Sequence, residues 1–546
     1  MTEQRQGRNG LSAGAGAGVT TGTSAVAAEY GDGRAANGRP ADGEYGEYLS
    51  KATKEAGFTF FGRIFALFFG FVASAVIARL LGPDVLGVYV LAWSVVMAVT
   101  ILTTFGFEGG FVKYLAMYAA QGKTCEAHAV YRYGIRFGAW ASVLGSAAVI
   151  LLRRPLAVTV FKEPRLESAL LFIAIAMLPY TLTRLQAAGL RALKDMKHSI
   201  IGAEFWYRVP RLLSFLILYA LGMRLLGVVF AGVLACIASA VVTHIFLRRT
   251  GPYLFGRDGD APIPTGEVVR YSAQMLAETG TAFALLEGGR LILGIFLASA
   301  DVGVYNIVVL LAMLATLFTF SFNSIFSPII ADVYHRGRAD LMSSLLSAIT
   351  RWIMLLTLPV YAWLLLSGEA VLGIFGLEFV RGYQALAILA TAQLVDATAG
   401  SVASCLAMTR YQRFNVYNTV AMAVVSVGLN IWLIPRLGIA GAAVATAVSI
   451  ILVNIARLIE GRMLLGVMPY DRSTLKVLVT GIVLVGGALI ARRLFEIPSS
   501  WYAAAVFLAL AYGVGLGLTT VMGIQEEDRH VIRTVLGKLV RLRGSE

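Results

Sequence analysis

The sequence predicts an all-α polytopic membrane protein of about 14 transmembrane helices. Two parallel six-helix bundles are expected around a central cavity, followed by two extra C-terminal helices. Three observations carry this. Apolar residues make up 58% of the 546-residue chain and charged residues only 14%, where a soluble domain carries about 25% charged. The apolar residues come in runs of roughly 20, enough to cross a ~30 Å hydrocarbon core. Finally, ARLLGPDVLGVY (Ala78 to Tyr89) is echoed 216 residues later by GIFLASADVGVY (Gly294 to Tyr305).

Residues 1–50 are expected to be a disordered cytoplasmic tail. Residues 1–46 hold 11 Gly and 9 Ala with no sustained apolar stretch, too little to bury, and no signal-peptide core. Six spans follow within 51–247, near 58–81, 85–106, 134–152, 166–189, 200–221 and 225–247. Gly82-Pro83-Asp84 makes the first corner, since it cannot continue a helix. A polar linker at 248–267 carries Pro252, Pro262 and Pro264. Within 268–465 six more spans are expected near 268–297, 302–323, 345–367, 380–405, 415–436 and 438–459. Two extra spans, near 475–494 and 501–522, occupy 466–524. The basic segment 525–546 has apolar residues at helical spacing and reads equally as an interfacial or a solvated helix.

Lys and Arg in the alternate loops number 15 on one side and about 7 on the other. The positive-inside bias then places both termini in the cytoplasm. The same bias accounts for the net charge of +14 without nucleic acid. Cys125, Cys236 and Cys405 lie far apart and suggest neither a disulfide framework nor a metal site. GVGLG (Gly513 to Gly517) lies inside an apolar span and is no nucleotide loop.

The 216-residue offset recurs elsewhere. Lys194 and Lys197 map to Arg410 and Arg413, and Leu221-Gly222 to Leu437-Gly438. Six spans per half is an even number, so the repeats are parallel, an arrangement in which transporters bind substrate between the halves.

ARLLGPDVLGVY, followed by a long apolar span, resembles the first hairpin of polysaccharide-export and O-antigen flippases. These belong to the multidrug/oligosaccharidyl-lipid/polysaccharide exporter superfamily. IPRLGIAGAAVATAVS (Ile434 to Ser449) resembles that family's corner between the eleventh and twelfth spans, and the likeness covers roughly residues 55–465. It implies a V-shaped pair of bundles that moves a polyprenyl-(pyro)phosphate-linked oligosaccharide by alternating access in the bacterial cytoplasmic membrane. The implied protein is a monomeric non-enzyme without a cofactor, coupled to H+ or Na+, working beside a glycan polymerase and export machinery. The last two spans resemble the lipid-groove pair of the lipid II flippase branch. A multidrug/cation antiporter of the same superfamily and a membrane glycan polymerase or ligase are the alternatives. The latter lacks the large outer loop that it would need.

Charges inside lipid are costly and mark functional candidates. Substrate-cavity candidates are Arg63, Arg208, Arg211 and Arg290, because Arg matches phosphate oxygens bidentately. Glu204, Arg208 and Arg211 share one stripe of the fifth span, where Pro210 is expected to kink the helix; Glu204 reads equally as a structural partner of Arg208. Glu278, Glu287 and Asp396 are ion-coupling candidates, though Glu287 and Arg290 also read as a salt bridge that positions the seventh span. Arg63, Arg136 and Arg351 also suit snorkelling to the interface. Asn415, Asn418 and Asn430 read as helix–helix hydrogen bonders, and Arg79 as an interfacial anchor.

Overall fold

A computed structural model describes residues 42–256, 265–335, 337, 339–399, 401–494 and 501–521. It contains two compact units, residues 1–55 and 56–546, and all contacts below lie within the second. The described residues form helices and no strand.

In the first half the longer helices are α1 (Asp42–Thr104), α2 (Thr124–Arg154), α3 (Arg165–Ile173), α4 (Met177–Ala192), α5 (Trp206–Ala220) and α6 (Leu225–Thr250), with single turns such as Phe107–Gly110, which carries Glu108, between them. In the second half they are α7 (Thr265–Phe296), α8 (Ser299–Ala312), α9 (Leu317–His335), α10 (Ala339–Phe375), α11 (Tyr383–Ala399), α12 (Ser401–Ala407), α13 (Gln412–Leu437) and α14 (Ile439–Glu460). Then come α15 (Arg472–Leu494) and α16 (Trp501–Val521), which pack against α10. Nine helices among the described residues are long and apolar enough to cross a bilayer, or ten if α11 and α12, bent by 49°, form one span. Shorter apolar helices cover Lys476–Ala491 and Ala503–Gly515.

Three local features refine the expected boundaries. The helix α1 is broken at Gly82, whose φ of 73° and ψ of 171° suit glycine, so the two expected spans meet there. The fifth span is irregular before Pro210 rather than at it: residues Ile201–Phe205 form a π-turn leading into α5. Such bulges recur at functional sites, and this one carries Glu204. The polar linker is narrower than expected, because α6 continues to Thr250 and a 3-10 turn covers Pro252–Phe255. Residues 257–264, the tail 1–41 and the basic segment 525–546 lie outside the described residues.

Apolar residues of both halves share one core. Ile77, Leu91 and Tyr89 of α1 join Val304 and Tyr305 of α8 and Phe375 of α10 in it, and Phe71 meets Phe375 edge-on at 5.4 Å. Lipid tails are as apolar as these side chains, so close packing rather than water exclusion favours the contact.

The two echoed corners turn out to touch each other. A Cβ added at Gly87 would lie 2.5 Å from the Ser299 carbonyl carbon, and one at Gly303 would lie 2.8 Å from that of Pro83. Only glycine permits this approach. Ion pairs surround it: Arg165 donates to Asp84 at 2.6 and 2.8 Å and to Glu163 at 2.9 Å, and Arg381 pairs with Asp301 at 3.0 Å. Arg165 and Arg381 stand at the 216-residue offset. The Ser299 hydroxyl is 2.8 Å from both Asp84 Oδ1 and Glu163 Oε2. The Arg165 hydrogen bond holds the Glu163 carboxyl below the usual carboxylate range; burial pushes it up, and the Ser299 bond adds to the lowering. Arg79, expected as an interfacial anchor, donates to the Ile374 carbonyl at 3.1 Å.

At the linker end the halves meet again. Gly106, Gly109 and Gly110 press against Ser272 and Met275 of α7, and Lys113 lies over the Tyr271 ring at 4.2 Å. Near its other end α7 packs Gly294 on Leu91. The helix therefore contacts the first half at both ends, while its middle packs on α13 and leaves Glu278 and Leu286 exposed.

Candidate functional site

Arginines on α4 and α5 form a connected strip in the first half. Arg184 grips Glu108 bidentately, Nε to Oε1 at 2.6 Å and Nη2 to Oε2 at 3.0 Å. Arg191 reaches the same carboxylate at 3.9 Å. Arg208 donates to Glu204 Oε2 from Nε at 3.2 Å and Nη2 at 2.8 Å, the pairing that the sequence allows. Its guanidinium also fills the space that a side chain at Gly70 would take. Arg211 has no carboxylate beside it among these contacts. It sits 5.2 Å over the Tyr89 ring and 5.9 Å from Tyr207, and its buried Nε has no hydrogen-bond partner. Trp93 completes the aromatic wall, 5.2 Å from Tyr180 and 5.9 Å from Tyr207. Four arginines against two glutamates leave the strip with a surplus of two positive charges. Such a surplus in a low-dielectric setting suits a multivalent anion.

In the second half Glu287 pairs with Arg290, whose buried Nε has no partner. Tyr305 Oη and Thr446 Oγ1 lie 3.1 Å apart. Glu278, roughly opposite Glu287 on the helix, is exposed. The Asp396 carboxylate accepts a hydrogen bond from Asn454 at 2.9 Å and, with Arg457, lines a cavity of about 630 Å³. Asn415 accepts from Arg457 at 3.1 Å and Asn418 donates to Glu460 at 2.7 Å, so both tie α13 to α14 as expected. Asn430 instead bonds Ser426 within its own helix.

Of the remaining candidates, Arg63 lies on α1 but its side chain is outside the described residues. Arg136 is exposed. Arg351 does not snorkel: it is only 6% exposed and pairs with Asp471 at 3.3 Å. Burial pushes the Asp471 carboxyl up, but hydrogen bonds from Thr474 and the field of Arg351 carry it below the usual range. Glu108, Arg184, Arg191 and Arg457 were missed from the sequence. Arg184 and Arg457 sit within apolar spans, so the cost of intramembrane charge was a usable signal. Glu108 lay in a presumed loop and gave none.

Together, the nine or ten bilayer-length helices among the described residues, the long helix α7 touching the first half at both ends, and polar groups between apolar helices define a membrane transporter fold. Solved structures agree. The lipid II flippase MurJ in an inward closed conformation superposes with a TM-score of 0.63 at 11% identity, over 87% of this chain and 99% of that one. An inward-facing multidrug resistance MATE family transporter of the MOP superfamily gives 0.60 at 13% identity, covering 73% and 94%. A MOP superfamily transporter from Pyrococcus furiosus, described as having a binding pocket of reverse polarity, gives 0.52 at 13% identity, covering 76% and 95%. The family model "Polysaccharide biosynthesis protein" matches residues 76–381, and the chain belongs to that family. A curated relative, the "Probable low-salt glycan biosynthesis flippase Agl15" of Haloferax volcanii, is 30% identical over 159 residues. The match spans 29% of this chain and about a third of that protein's length.

Proposed function

We propose that the protein is a flippase that moves a polyprenyl-(pyro)phosphate-linked oligosaccharide across the cytoplasmic membrane, for export of a polysaccharide or cell-envelope glycan. The carrying observation is the cationic strip, with its surplus of two positive charges and the unpartnered Nε of Arg211. A diphosphate supplies the matching acceptors. Arg208, Arg211 and Arg290 hold the phosphates as the two halves rock, and Arg63 joins them from the first span. Glu278, Glu287 and Asp396 carry H+ or Na+ coupling. The chain catalyses no covalent step, and both termini face the cytoplasm. The family and the flippase relative support this cargo over a nucleic-acid or enzymatic role.

The experiment is translocation of a fluorescent polyprenyl-diphosphate glycan in proteoliposomes, with Arg208→Ala, Arg211→Ala and Arg290→Ala. Transport should fall at least tenfold in each. Undiminished transport in all three would overturn the anion-cavity reading. A multidrug antiporter has one favouring observation, the carboxylate of Asp396 in a cavity. Transport of a lipophilic cation that survives the Arg variants and fails in Asp396→Asn would support it.

A further inference from the structure

The cavity beside Asp396 has a lining that the phosphate strip does not explain. It lies among α7, the 3-10 turn Met313–Thr316, α9, α11, α12, α13 and α14, and about 630 Å³ of it is open. That is the size of a small organic ligand's site, far more than a lone cation needs. Its walls are of two kinds. Thr316, Thr319, Asn323, Gln393 and Thr419 present hydroxyls and amides, while Leu286, Met313 and Phe320 present apolar surface. Formal charge is balanced by one carboxylate, Asp396, and one guanidinium, Arg457.

Two of the polar groups are unsatisfied. Thr319 Oγ1 and Asn323 Oδ1 are buried without a hydrogen-bond partner, and Thr319 is only 7% exposed. Buried polar atoms of this kind are costly and call for an explanation. The ligand that fits is neutral, roomy, rich in groups that both donate and accept, and apolar on one face. A lipid tail leaves the hydroxyls unmet, and a phosphate finds one guanidinium, Arg457, with the Asp396 carboxylate in the same wall to repel it. A sugar ring meets both walls: its hydroxyls serve Gln393, and Thr319 and Asn323 once a turn of their side chains brings those atoms to the cavity, and its C–H face lies on Phe320 and Met313. Leu285 and Leu286 belong to the middle of α7, and every residue lining the cavity lies in the second half.

We infer that this cavity is a carbohydrate subsite for the glycan of the cargo, separate from the arginine strip that takes the phosphates. The inference rests on the flippase reading, and the following test separates the two. Full-length protein in nanodiscs is titrated with polyprenyl diphosphate, and with the same lipid bearing one hexose or one N-acetylhexosamine. At least one sugar should tighten binding about tenfold over the bare lipid. Thr319→Val with Asn323→Leu should remove that increment and leave bare-lipid affinity unchanged. Arg208→Ala with Arg211→Ala should weaken all three lipids alike. Equal binding of bare and glycosylated lipids, or an increment that survives Thr319→Val with Asn323→Leu, overturns the subsite while the flippase reading stands. Binding of none of the three lipids overturns both. A thermal unfolding midpoint within a few degrees of wild type confirms that the double variant is folded; Thr319→Val alone serves if it is not.

Discussion

Replacing Gly87 by alanine should prise the two halves apart at the corner end. The added methyl would sit 2.5 Å from the Ser299 carbonyl carbon and 3.0 Å from the Gly303 nitrogen. The methyl meets the Ser299 carbonyl oxygen even more closely than its carbon, and restoring ordinary van der Waals separation parts the corners by about 1.5 Å. The obstructing atoms are backbone, and cannot rotate aside. Ser299 then draws away from Asp84 and Glu163, each now 2.8 Å from its hydroxyl. That hydroxyl has one proton to share, so the loss is one hydrogen bond to a charged group, about 2 kcal/mol. Arg165 keeps its own partners and limits the change. A loss of about 2 kcal/mol shifts the balance toward the opened corner roughly 30-fold.

The assay is the maleimide labelling rate of Leu91→Cys, a position 1% exposed beneath the seal, in nanodiscs and with Cys125, Cys236 and Cys405 replaced by alanine. Gly87→Ala should accelerate labelling at least tenfold, and Gly303→Ala should do the same from the opposite side. Gly428→Ala, where nothing lies within 4 Å, is the control. Labelling rates for Gly87→Ala within twofold of the parent would refute the argument that this contact seals the corner end.

Arg184→Ala should destabilise the first half, because Glu108 would keep only Arg191 at 3.9 Å. Thermal melting should drop by several degrees, and Glu108→Gln in the same chain should restore part of it. The Glu163 carboxyl is held low in the folded protein, so its contribution is complete above roughly pH 4.3, the ordinary glutamate value. It is lost as pH falls through the lower folded value. Melting curves between pH 7 and 3 should show a smaller acid-side loss for Glu163→Gln, and identical slopes would count against the Arg165 pairing. If Asp396 carries the coupling ion, Asp396→Asn should abolish the dependence of transport on the H+ or Na+ gradient while lipid binding persists. Gradient-dependent transport in that variant would remove Asp396 from coupling.

Much of the site was legible because lipid makes charge expensive. Arg208, Arg211, Glu287 and Arg290 could be picked from apolar runs, and their spacing gave the Glu204–Arg208 and Glu287–Arg290 pairs. Helical periodicity relates residues three and four apart, and its reach ends there. It could not bring Glu108 to Arg184 across 76 positions, or Arg351 to Asp471 across 120. The snorkelling assigned to Arg351 failed for that reason: its partner lies beyond the end of another helix.

The sequence by itself determined the membrane class, the all-helical make-up and the corner at Gly82-Pro83, since hydropathy and backbone sterics are local. It also showed the echo between ARLLGPDVLGVY and GIFLASADVGVY, but not why it is there. Tertiary structure decided that Gly87 and Gly303 meet backbone to backbone, and that Arg165 and Arg381 brace the contact with their own carboxylates. It likewise decided which arginines share a strip and where a polar cavity opens. Those outcomes depend on how helices far apart in the chain pack, and a close approach of two backbones is visible only once both are in place.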